Sequence, residues 1–149
     1  MVIDASVWVG YFVRSDLHHR VTREWMAQQL AEGAALVGPG LVLAEVAGAI
    51  ARLAADPAEG KKALESLLAP QGIGIGLEVV TWDAHDEEEA AALASDLLLR
   101  GADAHYVLAA RLDSMPLISW DDQQLARAGA LVPVGRPGEP LRWPASPAN

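Results

Sequence analysis

Five short apolar runs, at residues 1–3, 35–37, 77–82, 117–120 and 131–134, are separated by longer stretches in which apolar residues recur at helical spacing. This alternation is the strongest constraint on the fold. Strands that take turns with helices build a parallel sheet covered on both faces. The predicted helices cover 5–13, 16–31, 41–54, 57–68, 86–99, 104–112 and 123–128. Val21, Trp25, Met26 and Leu30 mark one buried stripe, with Gly33 as its stop; Leu64, Leu67 and Leu68 mark another. Gly72, Gly74 and Gly76 alternate with apolar residues, but no helix follows, so they read as a turn and not as a nucleotide fingerprint. Residues 1–134 are expected to form one domain, and 135–149 an irregular tail rich in proline and glycine.

In open α/β sheets, ligands bind beyond the carboxyl ends of the strands. The polar residues just after the predicted strands are therefore the ones to examine. Asp4 follows the first strand, and it also suits the cap of the next helix. Asp121 follows the fourth strand; Asp122, beside it, is suited to cap the short helix. Asp103 precedes the helix at 104–112 and is read as its cap. Glu45 is the only charged residue between Glu32 and Arg52, and its neighbours are all apolar or small. A carboxylate in such surroundings must be paired, metal-bound or protonated. Gly48 and Ala49 on the same helix leave room for something to approach it.

Two like charges about 4 Å apart repel by about 4 kcal/mol at an effective dielectric constant of 20. Four carboxylates sharing a pocket thus require a cation. The chain has no Cys, which removes disulfides, thiol catalysis and zinc–thiolate sites. An all-oxygen donor set points to Mg²⁺ or Mn²⁺. Ions held in this way activate water and clamp the oxygens of a phosphodiester displacement. Ser6 and Ser119 are placed to orient carboxylates by hydrogen bonds.

Other residues have plainer readings. His18 and His19 are expected on a solvated helix face, and His105 at the surface near Asp103. The acids of 83–89 read as a helix start favoured by the macrodipole, with Asp86 and Glu89 at capping-box spacing. Trp8, Trp25, Trp82 and Trp120 are expected in the core, and Trp143 at an interface. Neither a membrane span nor a signal peptide is legible, so a cytoplasmic location is expected.

The assembled motifs resemble the PIN domain, and within it the VapC-type toxin ribonucleases. Val2-Ile3-Asp4-Ala5-Ser6 is similar to the first acidic motif of that family, and Pro39 to Val46, with Glu45, to the second. Gly101-Ala102-Asp103-Ala104 is similar to the third. Leu117-Ile118-Ser119-Trp120-Asp121 is similar to the fourth, with Ser where Thr is commoner; the doubled acid leaves Asp122 as the alternative to Asp121. The resemblance implies a three-layer α/β/α sandwich around a parallel sheet of about five strands. It also implies Mg²⁺- or Mn²⁺-dependent cleavage of RNA, a homodimer, and neutralisation by a VapB-type antitoxin. Asp4, Glu45, Asp103 and Asp121 would hold the metal, with Ser6, Ser119 and Asp122 behind them. Arg14, Arg20, Arg23 and Arg52 would guide the RNA backbone. Two rival readings fit the sequence less well. A PIN-like binding module without strong catalysis is disfavoured by retention of all four acids. A phosphotransfer receiver would want paired early acids and a late Lys, whereas Lys61 and Lys62 are the only lysines.

The formal charge of −9 argues against a globally basic surface for nucleic acid. Setting aside the four candidate ligands and the acids of 83–89 leaves as many acidic as basic residues. The excess is thus local, and an RNA substrate is compatible with it if the acidic helix start faces elsewhere.

Overall fold

The computed structural model describes residues 1–145. Part of the expected tail, 146–149, lies outside the described residues. The five apolar runs pair as one all-parallel sheet, with strands β1 (Val2–Ile3), β2 (Val37–Pro39), β3 (Glu78–Val80), β4 (Leu117–Ile118) and β5 (Val134–Gly135). Their order is β3-β2-β1-β4-β5. The chain steps outward from β1 through β2 to β3, then returns to the far side of β1 for β4 and β5. The switch point therefore falls between β1 and β4, where such sheets open a crevice.

The strands are shorter than the apolar runs that announce them. Leu36 and Leu77, for example, are buried just outside β2 and β3. Among the described residues, seven helices cover the sheet: α1 (Ala5–Phe12), α2 (His19–Ala31), α3 (Leu41–Ala54), α4 (Pro57–Leu68), α5 (Ala84–Asp96), α6 (Gly101–Leu112) and α7 (Asp122–Ala128). α6 lies across β1, β2 and β4 and carries α5 on its other side; α1 to α4 form a second packed group. The result is the expected three-layer arrangement. The core runs through both faces, with Ile3, Trp8, Met26, Val46, Leu67, Leu108 and Leu117 essentially inaccessible. Where α3 crosses α4, Gly60 sits so close that a Cβ would lie 2.5 Å from the Ala47 carbonyl oxygen.

The glycine-rich segment is a turn, as expected: Gly72 and Gly76 have positive φ, and Gln71 bridges to Gly74. The acidic helix start is also present, but the capping box lies one turn earlier. Asp83 is the cap and Asp86 closes the box, because the helix begins at Ala84. The tryptophans differ from expectation. Trp8 is buried, whereas Trp25, Trp82 and Trp120 are only half-buried and pack on the core's rim. Trp143 is 72% exposed and stands over a cleft with Ala110, Arg111, Leu131 and Pro133. The segment after β5 folds back so that Arg142 and Val134 exchange backbone hydrogen bonds of 2.8 and 2.9 Å, an antiparallel bridge on the outer edge of the sheet. Among the described residues, no helix is long and apolar enough to cross a membrane.

Candidate active site

Asp4 leaves β1 at its carboxyl end and caps α1, accepting the Ser6 N–H at 2.9 Å. The capping role expected of it is present. Asp121 stands at the same level after β4 and caps α7, its Oδ1 accepting the N–H groups of Gln123 and Gln124. Ser119, fully buried, joins these two strand ends. Its hydroxyl donates to Asp4 Oδ2 at 3.1 Å and accepts the Asp121 N–H at 2.9 Å. Ser6 supports this junction by accepting the Trp120 N–H through Oγ at 3.0 Å.

Asp103 corrects the cap assigned to it. α6 starts at Gly101, so Asp103 lies inside the first turn, and Arg100 occupies the cap position. Asp103 is 8% exposed and Asp4 7%, so both are withdrawn from bulk solvent. Arg100 is the residue that sequence reading missed. Its Nε donates to Asp103 Oδ2 at 2.7 Å and its Nη2 to Asp121 Oδ2 at 2.5 Å. The available signal was the Arg three residues before a helical Asp, a common pairing distance. Glu45 enters from α3 and accepts the Tyr106 hydroxyl, donated from α6 at 2.6 Å.

Ser119 and Arg100 thus link Asp4, Asp121 and Asp103 near the switch point, and Glu45, held from α3 by Tyr106, lies near enough to feel the charges of Asp4 and Asp103. The electrostatics follow from this crowding. Burial pushes the Asp4 carboxyl up from its ordinary value; hydrogen bonds from Ser6 and Ser119 offset part of that, and Asp103 adds to it. Burial also raises Glu45, against the Tyr106 hydrogen bond and with the charges of Asp4 and Asp103. Burial pushes Asp121 upward too, but the backbone N–H groups at the head of α7 and the Arg100 guanidinium hold it low. Tyr106 is raised, chiefly by burial and then by the Asp4 charge, so its hydroxyl stays a donor.

The donor chemistry fits a hard divalent ion. It is all oxygen, and burial raises two of its carboxyls, Asp4 and Glu45, a cost that a bound cation would offset. Among the described residues, however, no three acidic, His or Cys side chains already stand in ligating positions. The cation in contact with Asp103 and Asp121 is Arg100.

Other assigned residues lie differently. Asp122, 76% exposed, turns away to Arg136 and neither caps α7 nor supports the acids. Arg52 lines a cleft of about 450 Å³ with Ala5, Ser6, Val9, Glu45 and Ala49. Of the two small residues expected to leave room beside Glu45, Ala49 lines this cleft, whereas the Arg52 guanidinium lies over Gly48, 3.0 Å from where a Cβ would stand. Arg14 and Arg23 line a separate hollow with Tyr11 and His19 at the far end of α1. That end is about 12 Å from the acids for an eight-residue helix. Arg20 is paired with Glu24. The histidines are not simple solvated residues. His18 stacks on Trp120 at 3.9 Å, and His19 Nδ1 is 2.8 Å from the Gly10 carbonyl oxygen. His105 is half-buried, bonded to the Gly101 carbonyl and to Glu87. Glu89 pairs with Arg111, so two acids of the 83–89 patch tie α5 to α6.

This fold, with acids from separated motifs gathered at the switch point of a small parallel sheet, defines a class. The PIN domain family model matches residues 1–131, and the chain belongs to that family. The solved structures it resembles include Mycobacterium tuberculosis VapC20, described as a Sarcin-Ricin loop cleaving toxin. That match has a TM-score of 0.68 at 17% identity and covers 84% of this chain and 92% of the other. VapBC2 from Rickettsia felis, solved bound to a promoter DNA fragment, has a TM-score of 0.67 at 12% identity, covering 91% and 96%. FitAcB from Neisseria gonorrhoeae has a TM-score of 0.64 at 16% identity, also covering 91% and 96%. No curated protein sequence matches the chain.

Proposed function

We propose that this PIN domain is a metal-dependent endoribonuclease toxin of the VapC type, held in check by a VapB-type antitoxin. The observation that carries this reading is the approach of four acids from separate elements: Ser119 and Arg100 link Asp4, Asp121 and Asp103, and Glu45 is near enough to feel the charges of Asp4 and Asp103. A protein fold alone does not determine activity; a site does. Acid-only sites of this sort suit phosphodiester hydrolysis, because a divalent cation bound there supplies Lewis acidity and neutralises the phosphate. Mg²⁺ or Mn²⁺ fits the oxygen donors. Asp4, Asp103, Asp121 and Glu45 would hold the ion. Ser119 and Ser6 would fix the strand-end junction behind Asp4 and Asp121, and Tyr106 would fix Glu45.

Arg52 is the basic residue best placed to hold the RNA backbone, since it shares a cleft with Glu45. Arg14 and Arg23 suit a second phosphate further along the strand. Likeness to the VapBC structure supports the antitoxin part of the reading, and a homodimer is proposed with it. A cytoplasmic setting goes with such a pair.

The test is cleavage of RNA by the purified protein with Mg²⁺ or Mn²⁺. Wild type should cut and Asp4→Asn should not; equal cutting by both would overturn the assignment. Expression of the chain alone should arrest growth, and co-expression of a cognate antitoxin should restore it.

A further inference from the structure

We propose that Arg100 is a displaceable counter-ion: its guanidinium holds Asp103 and Asp121 in the metal-free protein and leaves them when a divalent cation binds. This inference rests on the metal site proposed above. Arg100 uses three contacts: Nε to Asp103 Oδ2 at 2.7 Å, Nη2 to Asp103 Oδ1 at 3.2 Å, and Nη2 to Asp121 Oδ2 at 2.5 Å. Both oxygens of Asp103 are thereby engaged. Of the two oxygens of Asp121, Oδ1 is committed to the backbone at the head of α7 and Oδ2 to Arg100. Neither acid offers an oxygen that is not already in use.

Mg²⁺ binds oxygen at about 2.0–2.1 Å, so an ion on these oxygens would sit within about 5 Å of the guanidinium. Two cations that close, at a partly dehydrated site, repel strongly. Binding of one therefore opposes binding of the other. Arg100 can move aside, because its side chain is 67% exposed and only its backbone, at the cap of α6, is built into the fold. Among the described residues, no other Arg or Lys forms an ion pair with Asp4, Glu45, Asp103 or Asp121. Arg100 is thus the built-in neutraliser of this acid cluster, and the energy of its two ion pairs is subtracted from metal affinity.

Calorimetric titration of Mn²⁺ into wild type and Arg100→Gln tests this directly. The variant should bind about fivefold to tenfold more tightly, as befits release from two partly exposed ion pairs. A second measurement on the unaltered chain follows the Arg100 side-chain Nε–H resonance, assigned by its loss in the variant. Added Mg²⁺ should shift it toward the position of a solvated arginine. Equal or weaker Mn²⁺ binding by Arg100→Gln, or an Nε–H resonance unmoved while Mg²⁺ binds, would overturn the inference and leave the metal site standing. Absence of binding to either protein would overturn both.

Discussion

The Tyr106 hydroxyl donates to Glu45 Oε2 at 2.6 Å, tying α6 to α3 above the carboxyl end of the sheet. The bond favours the ionised carboxylate, against a burial that favours the protonated one. Tyr106→Phe should therefore raise the Glu45 pKa further. The acid limb of the RNA-cleavage profile should move to higher pH, and the fold should lose about 1–2 kcal/mol. Measuring kcat against pH beside thermal unfolding separates the two effects. A profile that does not move would remove Glu45 from the titrating set.

Asp4 carries the opposite lesson for stability. Its folded pKa lies above its unfolded value, so the native state binds a proton more tightly than the unfolded chain does. The stability it contributes is fully present below the unfolded pKa and is lost as pH rises through the folded one. The metal-free wild type should consequently lose Tm relative to Asp4→Asn as pH is raised from about 4 toward neutrality. Asn preserves the helix cap. Saturating Mn²⁺, at about a hundred times its Kd, should return about 2.7 kcal/mol to wild type and much less to the variant.

Ser119 holds two strand ends with one hydroxyl. Ser119→Ala should leave the buried Asp4 carboxyl less restrained and reduce metal affinity or cleavage by about 10–100-fold. Ser119→Thr keeps the hydroxyl and should retain far more of both. Calorimetry on the two variants checks the difference.

The neighbouring acids Asp121 and Asp122 separate cleanly by geometry. Asp121 faces Arg100, whereas Asp122 faces Arg136. Asp121→Asn should abolish RNA cleavage. Asp122→Asn should keep it, with a stability change within about 0.5 kcal/mol for an exposed position. If Asp122→Asn is the inactive variant, the fourth acid has been misassigned.

Gly60 offers a test of the scaffold away from the chemistry. A Cβ there would lie 2.5 Å from a backbone oxygen of α3, which cannot rotate away as a side chain can. Gly60→Ala should cost about 1–3 kcal/mol, at about 2–4 °C of Tm for each kcal/mol in a chain of this size. A higher Tm in the variant would mean that α3 and α4 are free to separate.

The alternation of runs and periods made the element order readable, because a parallel sheet needs continuous apolar strands and amphipathic helices. Glu45 was legible for a similar reason: a lone acid in an apolar helix has to be explained. What escaped was pairing across the fold. Nothing local marks Arg100 as a partner of Asp121, nor shows that α6 starts ahead of Asp103. His18 and His105 looked solvent-bound because their partners, Trp120 and Glu87, are brought to them only by tertiary packing. The sequence favours Asp121 by the Ser-x-Asp spacing and leaves Asp122 as the alternative; that the two side chains face different arginines is legible only in the fold.

A five-stranded open sheet has two raw margins, and each invites a stray strand. On the β3 margin, charged Glu78 interrupts the apolar run. On the β5 margin, the bridge between Val134 and Arg142 has the chain occupy its own template. The proline-bearing return from Gly135 thus acts as a selvedge: it adds no ligand to the four candidate acids, yet it spends the Val134 backbone groups on its own chain.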